Sequence, residues 1–157
     1  MNKEQSFIEF WLEKLPELKG EFDKEIKVMN DDCKYYDSIN NEDVHYKSVK
    51  NNDYLDELSG YYKDTNNRVY HLMGSPIVDY FDKLIRSKNA EKLKVFFSDF
   101  DEFYSRFKGE FVSKENIPND LILDILYTYI FEGIAEENME FAKPLMTDFI
   151  RREYDEW

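Results

Sequence analysis

The chain is poor in the residues that build metal sites, disulfides and phosphate loops. A single cysteine, Cys33, among 157 residues rules out an intramolecular disulfide. Its neighbours Asp31, Asp32 and Lys34 make a polar run. Adjacent carboxylates disfavour a thiolate, so Cys33 is a poor nucleophile. Only two histidines occur, His45 and His71. They lie far apart in the chain with no HExxH or CxxC motif, so a zinc site would need Cys33, both histidines or carboxylates to converge from weakly patterned segments. Only His45 has a Glu three residues before it, Glu42, whereas His71 has Arg68 there, and di-metal bundles require such a pair on each of two facing helices. The five glycines are scattered at 20, 60, 74, 109 and 133 and form no phosphate-binding loop. No cofactor is expected.

Basic residues are also scarce. Lys and Arg number 21 against 34 Asp and Glu, a formal net charge of −13. Such a field repels nucleic-acid backbones and anionic membrane surfaces and attracts basic proteins. No apolar run approaches the roughly 20 residues of a membrane span. The nearest, Leu121 to Ala135, is short and holds Asp124 and Glu132. Met1-Asn2-Lys3-Glu4-Gln5 has no positive run leading into an apolar core, so no secretory signal is expected and the cytoplasm is the expected compartment.

Aromatic side chains are abundant: 13 Phe, 12 Tyr and 2 Trp. They supply enough apolar area for a packed core and argue against global disorder. The length suits one domain.

Helical periodicity dominates. Ser6-Phe7-Ile8-Glu9 has capping-box spacing, predicting a first helix from about Ser6 to Leu15 with Phe7, Phe10 and Trp11 inward. Pro16 fits the first turn of a second, where Leu18, Phe22, Ile26 and Met29 form a stripe and Asp23 can pair with Lys27. From 30 to 68 the pattern weakens, and Asn30-Asp31-Asp32, Asn40-Asn41 and Asn51-Asn52-Asp53 read as turns. A short helix over Asp53 to Lys63 would align Leu55, Leu58 and Tyr62. Asp43 to Val49 and Arg68 to Met73 leave room for a minor hairpin between 43 and 73.

After Gly74, Ser75 and Pro76 predict a helix start, with Ile77, Tyr80, Phe81, Leu84 and Ile85 on one face. Asn89 predicts the cap of a helix striped by Leu93, Phe96, Phe97, Phe100, Phe103, Tyr104 and Phe107, ending at Gly109. Pro118 and Asn119 predict a helix to about Glu137 that is apolar nearly all round, hence central. Pro144 predicts the start of the last, carrying Leu145, Met146, Phe149 and Ile150 to about Tyr154. The expected architecture is all-α: a single-domain bundle of about six helices around the buried segment 119–137.

Two carboxylate groupings stand out. Asp99, Asp101 and Glu102 could do acid–base work or hold Mg²⁺, but the simpler reading is a solvated helix face. Asp53, Tyr54, Asp56, Glu57, Tyr61 and Tyr62 combine acid with aromatic anchors, which suits a basic protein surface. These six are the candidate partner-binding residues. The simpler reading there is a surface helix with half-buried tyrosines.

The Leu15-Pro16-Glu17-Leu18 run, the Leu72-Met73-Gly74 turn and the acidic helical half from Val69 to Trp157 give the chain a resemblance of character. It resembles small acidic helical proteins of bacteria, uncharacterised or of toxin-immunity type. The resemblance implies a non-catalytic module that binds and neutralises a basic toxin or effector, and it carries over no functional residue. The alternative is a structural or regulatory subunit of another assembly. An enzyme with a carboxylate site is the third reading.

Overall fold

A computed structural model describes residues 2–41, 60–113 and 119–157. It is all-α, as the periodicity predicts. Two compact units divide it at Leu72 and Met73. Among the described residues no helix is long and apolar enough to cross a membrane. The stretch that would hold most of the expected 43–73 hairpin and the Asp53–Lys63 helix lies largely outside the described residues. The expected strand from Arg68 to Met73 is helical instead. Val69, Leu72 and Met73 are all buried at helical spacing, and that spacing outweighs their β propensity.

In the first unit, α1 spans Lys3–Lys14. Its cap is Asn2, a turn before the expected Ser6. The Asn2 side chain accepts from the Gln5 N–H at 2.8 Å, and Gln5 returns the bond to the Asn2 N–H at 3.3 Å. This is the capping box one turn earlier, with Asn and Gln in the roles of Ser and Glu. It leaves Phe7, Phe10 and Trp11 buried in mid-helix. Pro16–Leu18 is a single 3-10 turn, and α2 follows over Lys19–Asn41. Phe22 and Met29 are buried, whereas Ile26 is half-buried.

The expected turn at Asn30-Asp31-Asp32 is helix interior. Asp31 pairs with Lys27 at 2.8 Å, and Asn30 accepts from Arg68 at 3.0 Å. These contacts offset the modest helix penalty of Asn and Asp. Lys27 is therefore taken, and Asp23 pairs with Lys19 at 2.9 Å rather than with Lys27 as expected. The helix α3, Thr65–Leu72, buries Val69 and Leu72. Its Arg68 also reaches Glu4 of α1 and the carbonyl of Tyr62.

The second unit opens with a π-helical turn, Met73–Ile77, and α4 over Val78–Arg86. Gly74-Ser75-Pro76 does not break the helical path as expected. A π turn has looser hydrogen bonding and tolerates a proline that lacks an N–H. Asn89 caps α5, Ala90–Phe107, by accepting from the Lys92 N–H, as predicted. Gly109 follows with φ +79°, the left-handed conformation suited to a helix C-terminus. Its N–H donates to Asp120 at 2.8 Å. Asp120 also caps α6, Leu121–Ile125, taking the role expected of Asn119.

A second π turn, Leu126–Phe131, follows directly. The helical run ends at Gly133, short of Glu137, and is not encased. Thr128 and Glu132 are exposed, while Tyr127 and Tyr129 are half-buried. The central element is α5. It buries Leu93, Phe96, Phe97, Asp99, Phe100, Phe103 and Phe107. Phe81 of α4 packs on Phe96 at 5.3 Å, and Phe149 stacks on Tyr104 at 4.9 Å. The all-round apolar pattern of 121–134 misleads because a π turn rotates successive side chains away from the 3.6-residue register. The two π turns meet where Gly74 faces Tyr129. A Cβ there would lie 3.4 Å from the Tyr129 hydroxyl.

The chain closes with α7, Met139–Ala142, a 3-10 turn at Lys143–Leu145, and α8, Asp148–Glu156. Pro144 opens only the 3-10 turn. The last helix begins later because Thr147 supplies the side-chain cap, accepting from the Ile150 N–H.

Phe100 is 1% exposed, while Asp101, the next residue, is half-buried. Phe100→Ala should cost about 3–5 kcal/mol in urea unfolding, as for other emptied aromatic core sites. Asp101→Ala should fall within about 0.5 kcal/mol of the parent.

Candidate functional site

The outward face of α2 was not legible as a site. With Asn30-Asp31-Asp32 inside the helix, Val28, Asp31, Asp32 and Tyr35 fall at i, i+3, i+4 and i+7, one stripe along its length. Val28 is 41% exposed and Tyr35 60%. Asp31 is exposed and Asp32 half-buried. The surface therefore carries an aliphatic and an aromatic side chain with two carboxylates between them. The Lys27 ammonium beside Asp31 holds its carboxyl below the usual range, so it stays ionised. Only continuation of the helix past Asn30 aligns these four residues on one face.

Of the six residues predicted to bind a partner, Asp53, Tyr54, Asp56 and Glu57 lie outside the described residues. Tyr61 and Tyr62 are described, and they divide the work. Tyr61 is 40% exposed and meets Tyr62 edge-on at 4.9 Å. Its carbonyl accepts from the Asn67 side chain at 2.8 Å. Tyr62 turns inward. Its hydroxyl lies 3.2 Å from Nδ1 of His71, and Nε2 of His71 lies 2.7 Å from Glu25 of α2. With the His71 proton on Nε2 the chain is fully satisfied: Tyr62 donates to Nδ1, and Nε2–H donates to Glu25. Lys63 pairs with Asp37, so the Tyr61–Lys63 stretch is tied to α2 at two points.

Glu25, His71 and Tyr62 stand in the order orienter, base and hydroxyl that activates nucleophiles. Burial, then the charges of Tyr61, Asp32, Glu25 and Cys33, push the Tyr62 hydroxyl up, which favours the phenol over the phenolate. The arrangement suits holding Tyr62 in place, and with it the ring of Tyr61, better than it suits attack on a substrate. Cys33 is half-buried and free. His45 lies outside the described residues. No group of three or more His, Cys, Asp or Glu that could hold a metal ion occurs among the described residues.

In the second unit the carboxylate trio splits. Asp99 is buried at 9% exposure, contrary to the expected solvated face, whereas Asp101 is half-buried and Glu102 exposed. At i+2 from Phe97 and i+3 from Phe96, Asp99 falls on the flank of the phenylalanine stripe rather than opposite it. Elsewhere in this unit Tyr127 donates to Glu153 at 2.5 Å. Burial, and then that bond and the Glu153 charge, push the Tyr127 hydroxyl up to about 12.

No protein family, curated protein or solved structure matches this chain.

The raised Tyr127 hydroxyl has a signed consequence for stability. The folded state holds this proton more tightly than the unfolded state, whose tyrosine titrates near 10. Its contribution is complete below pH 10 and is lost as pH rises towards about 12. Unfolding free energy measured across that window should fall with pH, and Tyr127→Phe should make the fall shallower. An equal slope in both proteins would show that the Tyr127–Glu153 bond is not coupled to folding.

Proposed function

We propose that this chain is a non-catalytic module that binds a basic protein through the first unit, on the surface formed by α2 and Tyr61. The observation that carries the reading is the stripe of Val28, Asp31, Asp32 and Tyr35, in which exposed apolar and aromatic side chains flank ionised carboxylates. Aromatic anchors hold interfaces together, and carboxylates select a basic partner and speed its arrival. The net charge of −13 works in the same direction and against nucleic acid. Glu25 and His71, holding Tyr62, keep the neighbouring Tyr61 ring ordered, which lowers the entropy lost when a partner closes over it.

The partner is most concretely a toxin or effector that the module neutralises in the cytoplasm. That part of the reading rests on the resemblance in character to immunity-type proteins. A structural or regulatory subunit would present the same kind of surface, and the identity of the captured partner separates the two.

Affinity capture from native cell lysate at low and high salt should retain a basic protein that high salt releases. The purified chain should inhibit that protein's activity at equal molar amounts. Asp31→Lys with Asp32→Lys should slow association about tenfold at low salt. Tyr35→Ala or Tyr61→Ala should speed dissociation by a similar factor or more. Unchanged rates in all these variants would place the interface elsewhere. A stable complex without inhibition would favour the subunit role.

A further inference from the structure

The last turn of α8 runs against its own dipole. Glu153, Asp155 and Glu156 lie there, at the negative end of the helix, with no Lys or Arg among them. Two of the three carboxylates have partners within the second unit: Glu153 accepts from Tyr127, and Asp155 pairs with Lys143. Glu156 is exposed and makes no ion pair among the described residues. Arg152, one turn earlier, is exposed and does not reach it. With the base N-terminal to the acid, this is the less favourable order for an i,i+4 pair.

Beside Glu156 stands Trp157, a residue 56% exposed. It is held in place. Its backbone N–H donates to the Glu153 and Tyr154 carbonyls at 3.0 and 3.3 Å. Its ring rests on Phe131 at 5.7 Å and Tyr154 at 6.1 Å, and those two meet edge-on at 5.1 Å. The same aromatic cluster already accepts a cation from its own chain, since the Lys143 ammonium sits 6.0 Å from the Tyr154 ring centre while paired with Asp155. Ring and carboxylate together hold that lysine. Trp157 and Glu156 repeat the combination one step along the helix and have no cation of their own among the described residues.

We propose that Trp157 and Glu156 form a docking point for an arginine side chain of a basic protein, with the guanidinium flat on the exposed indole face and its N–H groups donating to the Glu156 carboxylate. Arginine fits better than lysine because its planar, weakly hydrated cation stacks on an aromatic face while its edge remains free to donate. Neutralising the last turn also relieves the opposition between its carboxylates and the helix dipole. This surface belongs to the second unit and stands independently of the α2 surface.

The full chain, labelled with ¹⁵N, is titrated with an arginine peptide blocked at both ends and with its lysine counterpart, at about 0.15 M salt to screen diffuse attraction. The Trp157 indole N–H should move saturably, while the indole of Trp11, fully buried in the first unit, stays still. The arginine peptide should bind about fivefold tighter than the lysine peptide. Trp157→Leu should remove that preference, and Glu156→Gln, at an exposed position, should weaken arginine binding with the helical spectrum unchanged. Equal affinity for the two peptides would overturn the proposal, as would an arginine preference that survives Trp157→Leu. A preference lost on Tyr35→Ala but kept in Trp157→Leu would overturn it too, and would assign the cation to α2.

Discussion

Burial of aromatic rings is the interaction on which the rest of this structure depends. The chain has no disulfide to constrain its unfolded state. Its charge of −13 makes the compact state repel itself. Its exposed ion pairs, such as Lys19–Asp23 and Lys27–Asp31, are of the kind that contribute little. Phenylalanine offsets these deficits. Along α5, Phe96, Phe100, Phe103 and Phe107 touch in succession with ring centres 5.4–6.4 Å apart. In the first unit Phe7, Trp11 and Phe22 are likewise fully buried.

Asp99 apart, the described acidic groups are left at least partly exposed by the apolar core, and their placement decides what the protein can meet. Two arrangements differ from generic solubilising charge. On α2, two carboxylates lie between exposed Val28 and Tyr35. At the end of α8, they gather around a half-exposed tryptophan. In both, an aromatic face beside carboxylates offers a cation more than either group alone. Polar ties stiffen the first unit beneath its surface. Arg68 joins α1, α2 and α3 through Glu4 and Asn30, and His71 joins Tyr62 to Glu25.

Long amphipathic helices were legible because their evidence is redundant. In α5 the phenylalanine spacing, the Asn89 cap, the dipole-matched ends and Gly109 all agree. Where one local signal stood alone, it misled. Ser6-x-x-Glu9 has capping-box spacing, but Asn2 with Gln5 forms the box a turn earlier. Asn30-Asp31-Asp32 has turn composition, but contacts from Lys27 and from distant Arg68 keep it helical. That single misreading hid the α2 stripe, since residues assigned to a turn share no helix face. The π turns were hidden for another reason. They bring Gly74 and Tyr129, remote in the chain, close together, and no local pattern records that approach.

By itself, then, the sequence determined the helical class, the aromatic core of α5 and the acidic character of the surface, because periodicity, caps and charge are local or additive properties. Only the tertiary structure decided which carboxylates face water, that Asp99 is buried, that Tyr62 bonds to His71 and Glu25 while Tyr61 stays exposed, and that Trp157 rests on Phe131 and Tyr154. Those outcomes depend on contacts between residues remote in the chain. Long-range contacts are set by how whole helices pack, not by the identity of a residue's neighbours in sequence.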